Sequence, residues 1–295
     1  MESIHFTPKN CQLITDDSCC LSSQELQKLN VIAIPYHATA SEAKNVLKTT
    51  LRSKDFVLFV GTAQSLSPIN DTIRKAAEKL DEKDKSLNAT KRVLIFNTSS
   101  FSGGLGFFVT LFSEFIYSGD KSLDDAKGYA VFLANHIAHF FIEPSTKRWN
   151  NLIYVPRTGV INFHGGKFKG NKGIYSYLAE SFKDQTYHDK GKVWVCHAGR
   201  DSEEARNLAK QIKAYCPDSE INLTHKIAPN VAKGFSSKVI SCFYLGRNVR
   251  PDEPDYSHNS SHLKEIEEKR AIAKKNITAI SKYAQAYIAE PHPEF

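Results

Sequence analysis

The stretch Arg92-Val93-Leu94-Ile95-Phe96-Asn97-Thr98-Ser99-Ser100-Phe101-Ser102-Gly103-Gly104-Leu105-Gly106 begins as a strand and ends inside a helix. Arg92–Phe96 is a short apolar run of strand type, and the residues after Gly104 are almost wholly apolar as far as Tyr117, a length that suits a buried helix. A strand that passes through a hydroxyl-rich glycine turn directly into a helix is half of a β-α-β unit. On either side of this stretch the same alternation recurs. Cys11–Thr15, Val31–Tyr36 and Asp55–Val60 read as strands, and Asp55–Val60 is apolar on both faces, as a buried parallel strand is. Between them, Ser22 with Glu25 three residues later gives a capping-box start to a helix reaching about Asn30, and Ser41–Leu51 has helical spacing through Ala43, Val46 and Leu47. Ser67-Pro68 marks an N-cap and first helical position for a polar helix to about Leu80. Ser122 and Asp125 open a further helix, predicted to reach Phe140. The first half is therefore predicted to be a parallel sheet with helices on both faces.

Near Pro144–Asn151 the composition turns to Trp, Asn, Pro and charge, which places a boundary there: an α/β domain over 1–150 and a mixed α+β domain over 151–295. In the second half, Gly159–Phe163 and Lys167–Lys169 flank His164-Gly165-Gly166 as a hairpin would. A helix over Gly173–Lys183, a strand over Lys192–His197, an amphipathic helix from Asp201, strands at Glu220–Thr224 and Lys238–Leu245, and a long C-terminal helix over Leu263–Ala289 follow.

Hydrophobic residues make up 41% of the 295 and charged ones 24%, so disordered, collagen-like and coiled-coil classes are excluded for the bulk of the chain. The net charge of +7 suits an acidic lipid surface, a nucleic acid or an anionic ligand, and chooses none of them. The N-terminus lacks the basic-then-apolar pattern of a signal peptide, and Leu105–Tyr117 is too short to cross a bilayer, so a cytoplasmic protein with no transmembrane segment is expected. The six cysteines have no Cys-x-x-Cys spacing; neither a structural metal nor a disulfide framework is expected.

The strand-to-helix turn is the leading candidate site. Free N–H groups at a helix start attract anions, and the hydroxyls at 98, 99, 100 and 102 add donors for a phosphate or carboxylate. No Gly-Lys-Ser/Thr is present, and the glycine spacing misses the dinucleotide fingerprint. Close strand–helix packing is an equal reading of Gly103 and its neighbours. Gly61-Thr62-Ala63-Gln64-Ser65 also follows a strand, and Asp16-Asp17-Ser18 follows the first one. The carboxyl ends of parallel strands share one edge, so these segments converge with Ser99–Ser102; capping and turn formation are the plainer role for Asp16 and Ser18. His197 ends a strand and is a candidate for an interdomain cleft. His136 and His139 stand three apart on the predicted helix without a third metal ligand, and no Gly-x-Ser-x-Gly elbow supports a hydrolase triad. Arg157, Lys167, Lys169 and Lys172, with Phe168 between lysines, read more readily as a solvated hairpin face than as a nucleic-acid surface.

With those motifs in place, the chain resembles the DegV family. Ile14-Thr15-Asp16-Asp17-Ser18 looks like its Thr-Asp-Ser start, and Thr62-Ala63-Gln64-Ser65 is similar to its Thr-Ser-Gln-Pro-Ser. Ser102-Gly103-Gly104-Leu105-Gly106, followed by Gly119-Asp120-Lys121-Ser122-Leu123, looks like its Ser-Gly-Gly-Leu-Gly and downstream Gly-Lys-Ser-Leu. Val195-Cys196-His197-Ala198, Glu203-Glu204-Ala205 and Ala228-Pro229 resemble its C-terminal half. The order is collinear over residues 11–246. The resemblance implies a two-domain α/β protein with a long-chain fatty acid buried between the domains. It also implies a carrier, not a catalyst, that presents the acyl carboxylate to a separate fatty acid kinase for phospholipid synthesis, with no metal and no cofactor. Thr62, Ser99, Ser100, Ser102 and Gly103 would then hold the carboxylate, with Arg157 or His197 reaching it, and Phe107, Phe108, Leu111 and Phe112 are candidate tunnel walls. The family's separate Ser-Ser-x-Leu-Ser-Gly-Thr and Gly-x-His-x-Gly-Pro-Gly segments have no counterpart here; Thr62 carries over directly, and Ser99 or Ser100 stands in for the head-group serine. Two other functions fit the residues: an α/β enzyme acting on a small phosphorylated or carboxylated metabolite, and a degenerate family member serving as a protein-interaction module through its C-terminal helix.

Overall fold

The computed structural model describes residues 4–143, 149–150, 152–156, 159, 161–163, 168–186, 191–199, 202–223, 225–232, 235 and 238–247. The first half contains β1 (His5–Phe6), β2 (Cys11–Asp16), α1 (Ser23–Lys28), β3 (Val31–Ile34), α2 (Ala40–Leu51), β4 (Phe56–Gly61), α3 (Ile69–Lys83), α4 (Ala89–Arg92), β5 (Val93–Asn97), α5 (Ser102–Tyr117), β6 (Lys121–Ser122) and α6 (Leu123–His136). The second half adds β7 (Ile137–Ile142), β8 (Trp149–Asn150), β9 (Leu152–Tyr154), β10 (Asn162–Phe163), β11 (Phe168–Lys169), α7 (Gly170–Gln185), β12 (Lys192–His197), α8 (Glu203–Tyr215), β13 (Glu220–Asn222), α9 (Pro229–Ala232) and β14 (Ile240–Leu245).

Four strands of the first half form one sheet in the order β3-β2-β4-β5, parallel throughout. A second sheet runs β10-β9-β7-β14-β12-β13; its pairs are antiparallel except β12 with β13. A parallel α/β half joined to a mixed half is the architecture read from the sequence. Capping boxes open α1 at Ser22–Glu25, α2 at Thr39–Glu42 and α6 at Ser122–Asp125, each satisfying backbone donors that the first turn leaves free.

Strand alternation sorts the core into layers. Ile14, Val57 and Phe59 pack under α2 and α3 with Leu47, Ile73 and Leu80. Leu13, Leu58 and Val60, on the opposite face, meet α5. The second sheet repeats the division: Phe140, Val193, Val195 and Tyr244 pack on α7 and α8 through Leu178, Phe182, Leu208 and Ile212. Its other face sends Phe141, Trp194, Cys196 and Phe243 into the same core as α5. Helix α5 thus lies between the two sheets, which is the physical reason that its sequence is apolar on nearly every face, with Glu114 exposed. Leu105, Phe108, Val109, Phe112 and Ile116 are each fully buried there; removing such side chains from water contributes roughly 1.5–3 kcal/mol apiece.

Two expectations are corrected. The helix predicted to reach Phe140 ends at His136, and Ile137–Ile142 is a strand paired with both β14 and β9. All six of its residues are buried, and a run that is apolar apart from His139 carries no period to separate strand from helix. His136 and His139 accordingly do not share a helix face. The predicted hairpin across His164-Gly165-Gly166 is also replaced: β10 pairs with β9 and β11 with β8, not with each other. Arg157, His164 and the C-terminal helix read over Leu263–Ala289 lie outside the described residues. Among the described residues no helix is long and apolar enough to cross a membrane, no group of His, Cys, Asp and Glu is placed to hold a metal ion, and the six cysteines are free thiols.

Candidate functional site

The carboxyl ends of β2, β4 and β5 come together where the parallel sheet meets the second half. At the centre is Asp16, the last residue of β2, with no exposed surface. Its Oδ1 accepts from Ser18 N at 3.1 Å, from Ser18 Oγ at 2.5 Å and from Thr62 Oγ1 at 3.1 Å, and its Oδ2 accepts from Thr62 N at 2.7 Å. The Ser18 and Thr62 hydroxyls are 2.9 Å apart. Burial raises the Asp16 carboxyl above the ordinary carboxylate range, against hydrogen bonds from Ser18 and Thr62 that lower it. Asp16 also caps the 3-10 turn Asp17–Cys19, the role that its sequence neighbourhood suggested.

Thr62 is buried one residue beyond β4. The β5–α5 turn is tied to it through backbone contacts. Thr98 Oγ1 donates to Gly61 O at 2.9 Å, Ser100 N donates to Thr98 Oγ1 at 3.0 Å, and Ala63 N donates to Ser100 O at 2.7 Å. Ser99 and Ser102 hold positive φ values of 49° and 56°, uncommon for residues with a side chain. That conformation lets the chain reverse from β5 into α5 within a few residues. Helix α5 starts at Ser102 with no side-chain cap from Phe101, so its first N–H groups carry the partial positive charge of an uncapped helix start. Ser102 Oγ lies 3.2 Å from Cys20 Sγ.

The second half covers this edge closely. A Cβ on Gly159 would fall 2.9 Å from the Ala63 Cβ and the Ser65 Oγ and 3.4 Å from the Ser99 Cα. A Cβ on Gly103 would collide with the Phe243 ring and fall 2.7 Å from Cys196 Sγ, and one on Gly104 would fall 2.9 Å from the His139 ring. At Gly106 it would collide with the Cys19 carbonyl oxygen. The glycines of the Ser-Gly-Gly-Leu-Gly turn therefore give close approach of α5 to the second sheet and to the 3-10 turn. His139 itself sits in an aromatic group with Phe101, Phe141 and Phe243, at centroid separations of 4.9, 5.1 and 4.7 Å.

Thr62 and the 98–102 turn are thus brought together, as the sequence reading expected of a shared sheet edge. His197 closes β12, and its backbone carbonyl accepts from Ile227 N at 3.0 Å. Its buried Nδ1 has no hydrogen-bond partner among the described residues, and no described hydrogen bond links its ring to Thr62 or the serines. Asp16 and Ser18, placed on this edge by their position after a strand and read there chiefly as capping residues, also bind Thr62 directly. Cys20, beside Ser102, had no signal, because its left-handed backbone (φ 61°) decides where its thiol points. The side chains proposed as tunnel walls, Phe107, Phe108 and Phe112, are buried in the core that both sheets share, and Phe107 meets Trp194 edge-on at 5.3 Å.

The chain matches no protein-family model and no curated protein sequence. Its fold matches solved structures. A fatty-acid-binding DegV family protein from Thermus thermophilus superposes with a TM-score of 0.69 at 14% identity, over 80% of this chain and 99% of that one. A DegV family protein from Corynebacterium glutamicum gives 0.67 at 17% identity, over 82% and 99%. A stearic-acid-binding protein from Eubacterium ventriosum gives 0.67 at 13%, over 80% and 98%. The likeness at these identities is one of architecture: this chain is built on the two-domain fold of the DegV proteins.

Proposed function

We propose that this protein binds one long-chain fatty acid between its two halves and acts as a carrier, not as a catalyst. The observation that carries the reading is the buried hydroxyl group of residues at the carboxyl edge of the parallel sheet, pressed beneath the second half, in a fold whose Thermus and Eubacterium ventriosum examples bind fatty acids. A carboxyl group needs only a few donors, and an acyl chain needs apolar walls. In this account Thr62, Ser99, Ser100 and Ser102 supply hydroxyls, Gly103 supplies a backbone N–H at the uncapped start of α5, and Arg157 or His197 approaches from the second half. Phe107, Phe108, Leu111 and Phe112 line the acyl chain, which would enter by parting side chains of the core that joins the two sheets. No metal or cofactor is needed for that task. The finer proposal is that the carrier works in the cytoplasm and presents the carboxyl group to a fatty acid kinase, which makes an acyl phosphate for phospholipid synthesis.

Loading of delipidated protein tests the carrier reading. Palmitate and oleate should bind with a stoichiometry of one, and a methyl ester of either, which lacks the free carboxyl group, should bind more weakly. Equal binding of acid and ester would remove the role of the hydroxyl group, and no binding of any of them would sink the reading.

A further inference from the structure

The direction of the hydrogen bonds around Asp16 decides what Thr62 can offer a ligand. A hydroxyl has one proton to give and lone pairs to receive with. Ser18 donates its proton to Asp16 Oδ1 across 2.5 Å. The Thr62 proton then goes to Asp16 Oδ1 at 3.1 Å or to Ser18 Oγ at 2.9 Å. Both acceptors belong to the same buried cluster. With Asp16 ionised, Thr62 therefore has only lone pairs left for a ligand. An ionised carboxylate likewise has only lone pairs. Their meeting lacks a proton, and it would put two negative charges into one desolvated site, where like charges separate their titrations strongly.

Among the described residues, the groups facing Asp16 do not relieve that repulsion. Cys19 and Cys20 lie in the turn that follows it, and Tyr36 follows β3; each is electrostatically coupled to Asp16 and would be negative if ionised. Asp17 is turned aside, accepting from Tyr36 N at 2.7 Å. On the second half, His225 contacts the Cys20 backbone and faces Glu25, not Asp16. Among the described residues no cation contributes to the surroundings of Asp16.

Resting on the fatty-acid reading of this site, we propose that the ligand carboxyl group is bound together with one proton taken from solvent, which it shares with Asp16 through the Thr62 and Ser18 hydroxyls. The charge balances in either placement. If the proton stays on the ligand, the neutral acid donates to the free lone pair of Thr62. If it sits on Asp16, the carboxylic acid donates to Ser18 or Thr62, the relay reverses, and the Thr62 proton turns outward to the ligand carboxylate. Counted over the described residues, the site carries one negative charge after binding, as it did before. Asp16 is then a positioning residue that sets which protonation state the site accepts.

The test compares oleate with oleyl alcohol, whose neutral hydroxyl can donate to Thr62 without any added proton, on delipidated protein between pH 6 and pH 9. Oleate affinity should fall by about tenfold per pH unit, as one-proton linkage requires, while oleyl alcohol affinity stays level. Calorimetry of oleate binding at pH 8 in two buffers of different ionisation enthalpy should count one proton taken up, on the unmodified protein. Asp16→Asn places an amide N–H donor beside the two hydroxyls and should flatten the oleate pH dependence. Level oleate binding across the range with no buffer-dependent heat would overturn the proposal and leave the fatty-acid reading standing. Full pH dependence retained in a folded Asp16→Asn variant would also overturn it. Failure of both oleate and oleyl alcohol to bind at any pH would instead remove the fatty-acid reading on which it rests.

Discussion

His225 Nδ1 stands 3.6 Å from Glu25 Oε1, joining the second half of the chain to helix α1 of the first. The histidine is buried, and its ring stacks on Trp194 with centroids 3.8 Å apart. Burial lowers its pKa below the ordinary histidine value, only partly offset by Glu25. The folded protein therefore resists a proton that the unfolded chain accepts near pH 6.5. Above that pH both states are neutral at this residue and it has no effect on stability. Below it the unfolded state gains the proton first, and stability falls as the pH drops toward the folded-state pKa. Urea denaturation midpoints should thus change little between pH 8 and 7 and decrease from pH 6.5 to 5.5. In His225→Phe, which keeps a ring against Trp194, the decrease should be smaller. An equal decrease in both proteins would assign the acid sensitivity to other groups.

The glycine turn makes a graded prediction. Gly106→Ala sets a methyl group against the backbone carbonyl of Cys19, which cannot turn away, and should destabilise the fold by about 3 kcal/mol or more. Gly104→Ala meets the His139 ring, a side chain with some freedom to shift, and should cost less, about 1–2 kcal/mol. Gly128 lies within α6 with open space around it, so Gly128→Ala should stabilise by about 0.5–1 kcal/mol through helix propensity alone. Denaturant midpoints of the three variants give the order directly. A harmless Gly106→Ala would mean that α5 is not held against the 3-10 turn as described.

Thr62→Val keeps the shape of the side chain and deletes its hydroxyl. The backbone N–H still reaches Asp16, and Ser18 still donates to it, so the fold should lose only about 1 kcal/mol. Affinity for a long-chain fatty acid should fall by about tenfold, the worth of one hydrogen bond to a carboxyl group. Ser99→Ala, at a partly exposed position beside Gly159, should have a smaller effect on stability than Thr62→Val. Fluorescent fatty-acid displacement paired with chemical denaturation separates the two effects.

Much of this fold was legible because its local signals agree with its long-range pairing. The serine and carboxylate pairs Ser22–Glu25 and Ser122–Asp125 announced two helix starts by chemistry confined to four residues. Strands β2, β4 and β5 were marked by apolar runs bounded by polar turns. The failures arose where the deciding partner is remote in sequence. Ile137–Ile142 is a strand because β9 and β14 supply its hydrogen bonds, and a run buried at every residue, apolar apart from His139, gives no period from which to infer them. The pairing of Phe168–Lys169 with Trp149–Asn150, across the intervening β9 and β10, was hidden for the same reason. At the site, convergence on one sheet edge was predictable from parallel topology. The pair of hydrogen bonds from Thr62 to Asp16 was not, because it depends on how a buried carboxylate finds four donors.

Native mass spectrometry of the protein purified from cells without added lipid reports whether it carries an acyl ligand. A carrier with a buried acyl site should retain its ligand through purification. A mass excess equal to one long-chain fatty acid is expected, lost on denaturation and restored by added oleate or palmitate. A protein of bare polypeptide mass that takes up neither acid would contradict it.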